Sequence, residues 1–81
     1  MSNAWEISRE DIEAVCRAHD TVLTEEQLEE VFGDIDADLV ESAVLNYDDF
    51  DDQCQAALAE IEEQMILGGM YITDPKKFLM P

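Results

Sequence analysis

Apolar residues recur three or four positions apart along most of this chain, which is the spacing of one face of an α-helix. The pattern predicts four helices, over about residues 9–19, 25–33, 37–46 and 49–67. The residues expected to face the core are Ile12, Val15 and Cys16 in the first helix, Leu28, Val31 and Phe32 in the second, Leu39, Val40, Ala43 and Val44 in the third, and Phe50, Cys54, Leu58, Ile61 and Met65 in the fourth. His19 is expected at the boundary of the first stripe.

Residues that favour helix ends occupy the expected places. Thr24 and Gln27 form the signature of a capping box, in which each side chain bonds a free backbone N–H of the other residue. Gly33 is expected to end the second helix, because glycine adopts the left-handed conformation that often follows a helix. Asp34 or Asp36 is expected to cap the third helix.

The linkers between the predicted helices are short, and no run of alternating apolar and polar residues predicts a strand. We therefore expect an all-α fold, a compact small bundle of about four helices within residues 1–69. Gly68 and Gly69 end the fourth helix and lead into a C-terminal extended tail, residues 70–81, which is rich in large apolar side chains. This tail is expected either to dock on the helices or to bind a partner.

The balance of charged residues excludes more classes of function than the length of the chain does. The 81 residues include 21 Asp or Glu and 4 Lys or Arg, giving a formal net charge of −17. This length allows one small domain, and nucleic acids and anionic membranes both repel so acidic a chain. There is neither a long apolar run nor a basic segment followed by an apolar one at the N-terminus. We expect a cytoplasmic protein that binds no nucleic acid and no membrane directly, with Cys16 and Cys54 as reduced thiols.

Fragments of metal sites occur without their remaining ligands. Cys16 and His19 lie three positions apart, as half of a zinc site would, yet Cys54 is the only other cysteine and there is no second histidine. The acids of the segment 34–38 have the spacing that begins a calcium loop, but a leucine, Leu39, replaces the glycine of the turn. We therefore expect no metal and no cofactor. A thin four-helix domain also offers little room for a catalytic pocket, so we expect no enzyme activity.

The most informative feature is that residues 18–75 contain no Lys or Arg, although most of the acids lie there. Two groups stand out. We call Glu25, Glu26, Glu29 and Glu30 the first acidic group, and Asp48, Asp49, Asp51 and Asp52 the second acidic group. The first group spans about 8 Å of helix axis, a charge density that approaches the one charge per roughly 1.7 Å of a DNA duplex. Tyr47 is the expected aromatic anchor beside the second group and is expected to be more exposed than Phe50.

In its short length, net charge, helical pattern and base-free stretch, the chain resembles the small acidic proteins that phages and mobile elements use against host restriction or CRISPR systems. Several proteins of that class are DNA mimics. The resemblance is one of class and rests on no diagnostic motif. It implies an inhibitor whose acidic surface occupies the basic, nucleic-acid-binding surface of a partner protein. The candidate partner-binding residues are the two acidic groups and Tyr47.

Other interpretations remain open on the sequence. The acids are also explained as a solubilising surface, or the surface of a protein from a salt-loving host, in which some of them cap helices. The main functional alternative is a structural or adaptor module that dimerises or docks through apolar surface and the tail, with Phe78, Leu79 and Met80 as contacts. A homodimer is compatible with either function. A third interpretation is weak binding of a divalent cation by the second acidic group.

Overall fold

The computed structural model describes residues 7–73 and 75–78, and four α-helices account for most of that range. They are α1 (Arg9–Ala18), α2 (Glu25–Asp34), α3 (Ala37–Val44) and α4 (Phe50–Leu67). No strand occurs among these described residues, and the predicted all-α bundle of four helices is confirmed. Each helix begins and ends within two residues of its predicted limits.

Side-chain caps fix where the helices begin. The capping box of α2 is present: the Thr24 hydroxyl accepts the Gln27 N–H at 3.2 Å, and the Gln27 side chain accepts the Thr24 N–H at 2.9 Å. Asp36, rather than Asp34, caps α3, because its carboxylate accepts the Asp38 N–H at 3.0 Å. Each of these bonds satisfies an N–H group that has no partner within its own helix.

Gly33 does not end α2, contrary to the prediction. The helix continues through Asp34, and Ile35 ends it with extended backbone angles of φ −74° and ψ 131°. Ile35 is buried in the core, and burying such a side chain is worth about 1.5–3 kcal/mol. This exceeds the roughly 1 kcal/mol that glycine costs within a helix. Core packing therefore sets the end of α2.

The longest helix, α4, is the centre of the bundle. Both α1 and α3 pack against α4, and α2 packs mainly against α1. Ile61 and Met65 of α4 are completely buried, as are Ile12 and Val15 of α1. The core also contains the buried side chains of Cys16, Leu28, Val31, Ile35, Val40, Val44, Ala57 and Ile72.

Three residues predicted to lie in the core are exposed. The exposed fractions are 37% for Phe32, 51% for Leu39 and 66% for Phe50. Because α2 and α3 each pack mainly against one other helix, only a narrow stripe of each is covered. Phe32 and Leu39 lie beside the stripes that contain the buried Val31 and Val40. Phe50 is the first residue of α4, where no preceding turn of the same helix covers a side chain.

Residues 70–78, which we call the C-terminal segment, fold back onto the helices where the structure describes them. A tight turn leads into the segment, in which the Met70 N–H donates to the Met65 carbonyl at 2.8 Å and the Gly69 N–H donates to the Ile66 carbonyl at 3.2 Å. Gly69 has a φ of +67°, which glycine adopts without strain. Ile72 is 2% exposed and joins the core, and Phe78 packs against it half-buried. Leu79 and Met80, which belong to the predicted tail contacts, lie outside the described residues.

Candidate functional site

The first acidic group lies fully on the surface. All four of its glutamates are exposed on α2, and the cap at Thr24 holds the start of that helix in place. Glu26, Glu30 and Asp34 follow one another at intervals of four residues, so they form one row on the helix with about 6 Å of axial rise between neighbours. The helix therefore presents a regular row of negative charge to solvent.

Two members of the first acidic group have partners from elsewhere in the chain. Arg9 of α1 forms an ion pair with Glu29, and the Tyr71 hydroxyl donates a hydrogen bond to Glu30. That hydrogen bond is the main reason why the pKa of Tyr71 is raised, with a further contribution from the charge of Asp34. Among the described residues, the Glu25 and Glu26 side chains have no ion pair or hydrogen-bond partner. Among the described residues, Glu29 is therefore the member of this group that an opposite charge neutralises, because the Tyr71 hydroxyl carries no charge.

The base-free stretch of the sequence is partly neutralised in three dimensions. Arg9 reaches Glu29 from before the stretch, and Lys76 reaches Glu63 from after it, with 2.9 Å between the Lys76 Nζ and Glu63 Oε1 atoms. Two acids of the base-free stretch are therefore paired with basic residues from outside it. Both pairs are at the surface, where an ion pair is worth at most about 1 kcal/mol.

The second acidic group surrounds the start of α4. Its four aspartates are exposed, and Asp49 caps the helix by accepting the Asp51 N–H at 3.1 Å and the Asp52 N–H at 3.4 Å. Asp51 and Asp52 occupy the first turn, where the helix dipole favours negative charge. Asp49 thus has a clear structural role, while Asp48, Asp51 and Asp52 extend the acidic surface.

The two aromatic residues beside the second acidic group have the reverse of the expected exposures. Tyr47 is half-buried in a shallow groove with Ala43 and Ala56, and its backbone carbonyl accepts the Gln53 side-chain N–H at 2.8 Å. Phe50 is 66% exposed. The more exposed aromatic contact available to a partner at this end of the molecule is therefore Phe50.

The structure does not bring the two acidic groups together into one patch. Glu30 contacts Tyr71, which lies just beyond the C-terminal end of α4. The second acidic group lies at the N-terminal end of the same helix, whose 18 residues span about 27 Å. A partner that contacts both Glu30 and the second acidic group must therefore span about the length of α4.

A buried carboxylate that the sequence analysis did not identify lies between α1, α4 and the C-terminal segment. The Glu62 side chain is completely buried. Its Oε2 atom lies 2.6 Å from the His19 Nε2 atom and accepts the Lys77 backbone N–H at 2.6 Å, while its Oε1 atom accepts the Phe78 N–H at 3.1 Å. One carboxylate therefore connects two helices and the end of the described chain.

The hydrogen bonds to Glu62 keep it ionised although it is buried. Burial by itself would raise the pKa of Glu62, but the bonds from Lys77, His19 and Phe78 more than offset this, so the pKa is lowered overall. His19 is only 6% exposed and is a core residue, not the boundary residue expected. The sequence did contain an indication that Glu62 is buried, because position 62 continues the helical spacing of the apolar residues Leu58 and Met65.

The possible zinc half-site is explained by other contacts. His19 faces Glu62, and Cys16 is buried in the core, where burial raises the pKa of its thiol. Cys54 is a half-buried free thiol. Within residues 7–73 and 75–78, no three His, Cys, Asp or Glu residues converge as metal ligands would.

The fold and the site define a small all-α protein with an exposed acidic helix and a buried carboxylate that holds the C-terminal segment. Comparisons with protein-family models, with curated proteins and with solved structures found no match to the chain. In the part of the chain that the structure describes, no helix is both long enough and apolar enough to cross a lipid bilayer.

Proposed function

We propose that this protein is a non-enzymatic binding module whose acidic surface occupies a basic, nucleic-acid-binding surface of a partner protein. The first acidic group is the main contact, because its four carboxylates are exposed on one capped helix. Several members of the class that the sequence resembles, the acidic counter-defence proteins of phages and mobile elements, act in this way, and we place the activity in the cytoplasm. The observation that carries the proposal is the exposed row of Glu26, Glu30 and Asp34 on α2.

The electrostatics of the surface support this mechanism. The protein has a net charge of −17, and the two surface ion pairs in the described residues leave most of its acids without an opposite charge. The protein therefore attracts basic surfaces at long range. Such attraction speeds the encounter of two proteins and weakens as salt is added. Exposed apolar side chains then provide lasting contacts, and Phe50 is the aromatic candidate beside the second acidic group.

Competition with nucleic acid tests the proposal. The first step is to identify proteins that the immobilised chain retains at low salt but releases at high salt. One of these proteins is then purified together with the nucleic acid that it binds. We expect the chain to displace that nucleic acid in proportion to its concentration, because both ligands occupy one basic surface. Binding of the chain and the nucleic acid to the same partner molecule at the same time would contradict the proposal.

The alternative function, an adaptor that docks through apolar surface, is favoured by separate observations. Leu45, Leu67 and Val22 are 73%, 80% and 95% exposed, so their apolar surface is accessible to a partner. Removing the whole tail does not test this alternative cleanly, because Ile72 belongs to the core. Truncation after Phe78 is the better variant. Association that survives high salt but is lost in this truncation favours the adaptor, and the opposite pattern favours the acidic module.

A further inference from the structure

The C-terminal segment is attached to the helices at two places of different kinds. Its inner attachment is Ile72, which is 2% exposed within the core. Its outer attachment is the Glu62 carboxylate, which accepts the consecutive backbone N–H groups of Lys77 and Phe78 at 2.6 and 3.1 Å. The two attachments are separated by a stretch without helix or strand structure in its described residues.

Apart from the packing of the half-buried Phe78 against the core, few other contacts hold the outer attachment. The last backbone-to-backbone hydrogen bond among the described residues of the segment is from the Ile72 N–H to the Met70 carbonyl. Beyond it, the only other hydrogen bond of these residues is from Lys76 to Glu63, whose side chains are 37% and 47% exposed. Segments with few buried contacts open at a lower free energy than the core of the same protein.

We propose that Glu62 acts as a latch that holds the outer part of the C-terminal segment, and that this latch opens while the four helices stay folded. Opening releases Phe78 and exposes the Glu62 and His19 side chains, which the segment covers when the latch is closed. The inference is independent of the acidic-surface function. It bears on the adaptor alternative, because Phe78 is half-buried while the latch is closed and becomes fully available to a partner only when it opens.

The positions of the basic residues make trypsin a selective probe of the latch. Trypsin cleaves after Lys and Arg, and the bonds it would cut after Lys76 and Lys77 carry the two N–H groups that Glu62 holds. Arg17 lies within α1 and reports opening of the helices. We expect cleavage at the lysines of the intact wild-type chain to be faster than cleavage at Arg17, because the latch opens without the helices.

Glu62→Gln keeps the size of the side chain but removes its charge, and Glu63→Gln is the matched control on the same helix. We expect Glu62→Gln to speed cleavage at the lysines roughly tenfold or more relative to cleavage at Arg17, because hydrogen bonds to charged groups are the stronger ones. Glu63→Gln should change that ratio by less than about fivefold, since it removes only a surface ion pair. Equal acceleration at the lysines and at Arg17 in Glu62→Gln, or no acceleration at the lysines, would overturn the proposal.

Hydrogen exchange of the wild-type protein decides the question even if Glu62→Gln fails to fold. The Lys77 and Phe78 amides should be protected, but they should exchange faster than the Ile61 amide in the middle of α4, and with a weaker dependence on urea. That combination means local opening of a closed latch. Exchange at the rate and with the urea dependence of Ile61, or the absence of protection at both amides, would overturn the proposal.

Discussion

The His19 Nε2 atom of α1 lies 2.6 Å from the Glu62 Oε2 atom of α4, and the two side chains are 1% and 0% exposed. The residues are 43 positions apart in the sequence. A buried carboxylate is tolerated only when hydrogen bonds replace its hydration, and these come from His19 of α1 and from two N–H groups of the C-terminal segment. Glu62 thus joins α4 both to α1 and to the C-terminal segment.

Removing the Glu62 carboxylate should destabilise the protein strongly. We expect Glu62→Ala to lower the free energy of unfolding by about 3–5 kcal/mol, because it removes a buried side chain together with the partner of His19 and the acceptor of the Lys77 and Phe78 N–H groups. The neighbouring Glu63 is half-buried and pairs with Lys76 at the surface, so Glu63→Ala should cost about 1 kcal/mol or less. Urea unfolding of both variants measures the two values. Equal small losses would show that Glu62 is not held as described.

The contribution of Glu62 should disappear in acid. Its pKa is lowered in the folded protein, so the stabilisation is complete above the ordinary glutamate value of about 4.3 and is lost as the pH falls through the folded value. The charged or donor groups that face it are His19 from α1 and the Lys77 and Phe78 N–H groups from the C-terminal segment.

Protonation of the many surface acids has the opposite effect, because it relieves repulsion. The test is therefore the difference in unfolding free energy between wild type and Glu62→Gln. We expect this difference to shrink as the pH falls below about 5. A difference that grows on acidification would contradict the described hydrogen bonds.

Ile61 and Leu67 on α4 allow a test of the core. Ile61 is completely buried and Leu67 is 80% exposed. We expect Ile61→Ala to lower the free energy of unfolding by about 2–5 kcal/mol, because it leaves a cavity among packed side chains. Leu67→Ala should change it by less than about 0.5 kcal/mol. A loss at Leu67 as large as that at Ile61 would mean that another chain covers Leu67 in solution.

Added neutral salt should raise the melting temperature. Repulsion among the acids dominates the surface, and the described residues contain two attractive surface ion pairs that salt would weaken. The Debye length falls to about 10 Å at 0.1 M salt, so screening removes more repulsion than attraction. Melting curves followed by circular dichroism from low to moderate sodium chloride test this. A flat or falling melting temperature would count against it.

The helices could be predicted from the sequence because their signals are local. The spacing of Ile12, Val15 and Cys16 gave the buried face of α1, and the box formed by Thr24 and Gln27 gave the start of α2. Local spacing does not show how many neighbours a helix has. Phe32, Leu39 and Phe50 were therefore predicted to be buried, although their helices leave those sides uncovered.

The site depended on contacts between distant parts of the chain. A glutamate is normally exposed, and what allows Glu62 to be buried is a histidine from α1 and two N–H groups from the C-terminal segment. No sequence spacing indicates these donors. The exposure of the first acidic group could be predicted, because its residues are hydrophilic. Its contacts with Arg9 and Tyr71 could not be predicted, because they join residues that are far apart in the sequence.

The central claim is that the first acidic group is recognised by a basic partner, and the association rate constant of the purified partner tests it most directly. Glu26→Lys with Glu30→Lys is compared with Glu10→Lys and Glu13→Lys, an exposed pair on α1 that changes the net charge equally. Melting curves of both variants serve as the control for folding, because the α2 variant loses the bond between Tyr71 and Glu30. We predict that at low salt the α2 variant associates about tenfold more slowly or worse, with a smaller change in dissociation, while the α1 variant stays closer to wild type. Equal slowing by both variants, or by neither, would contradict the claim.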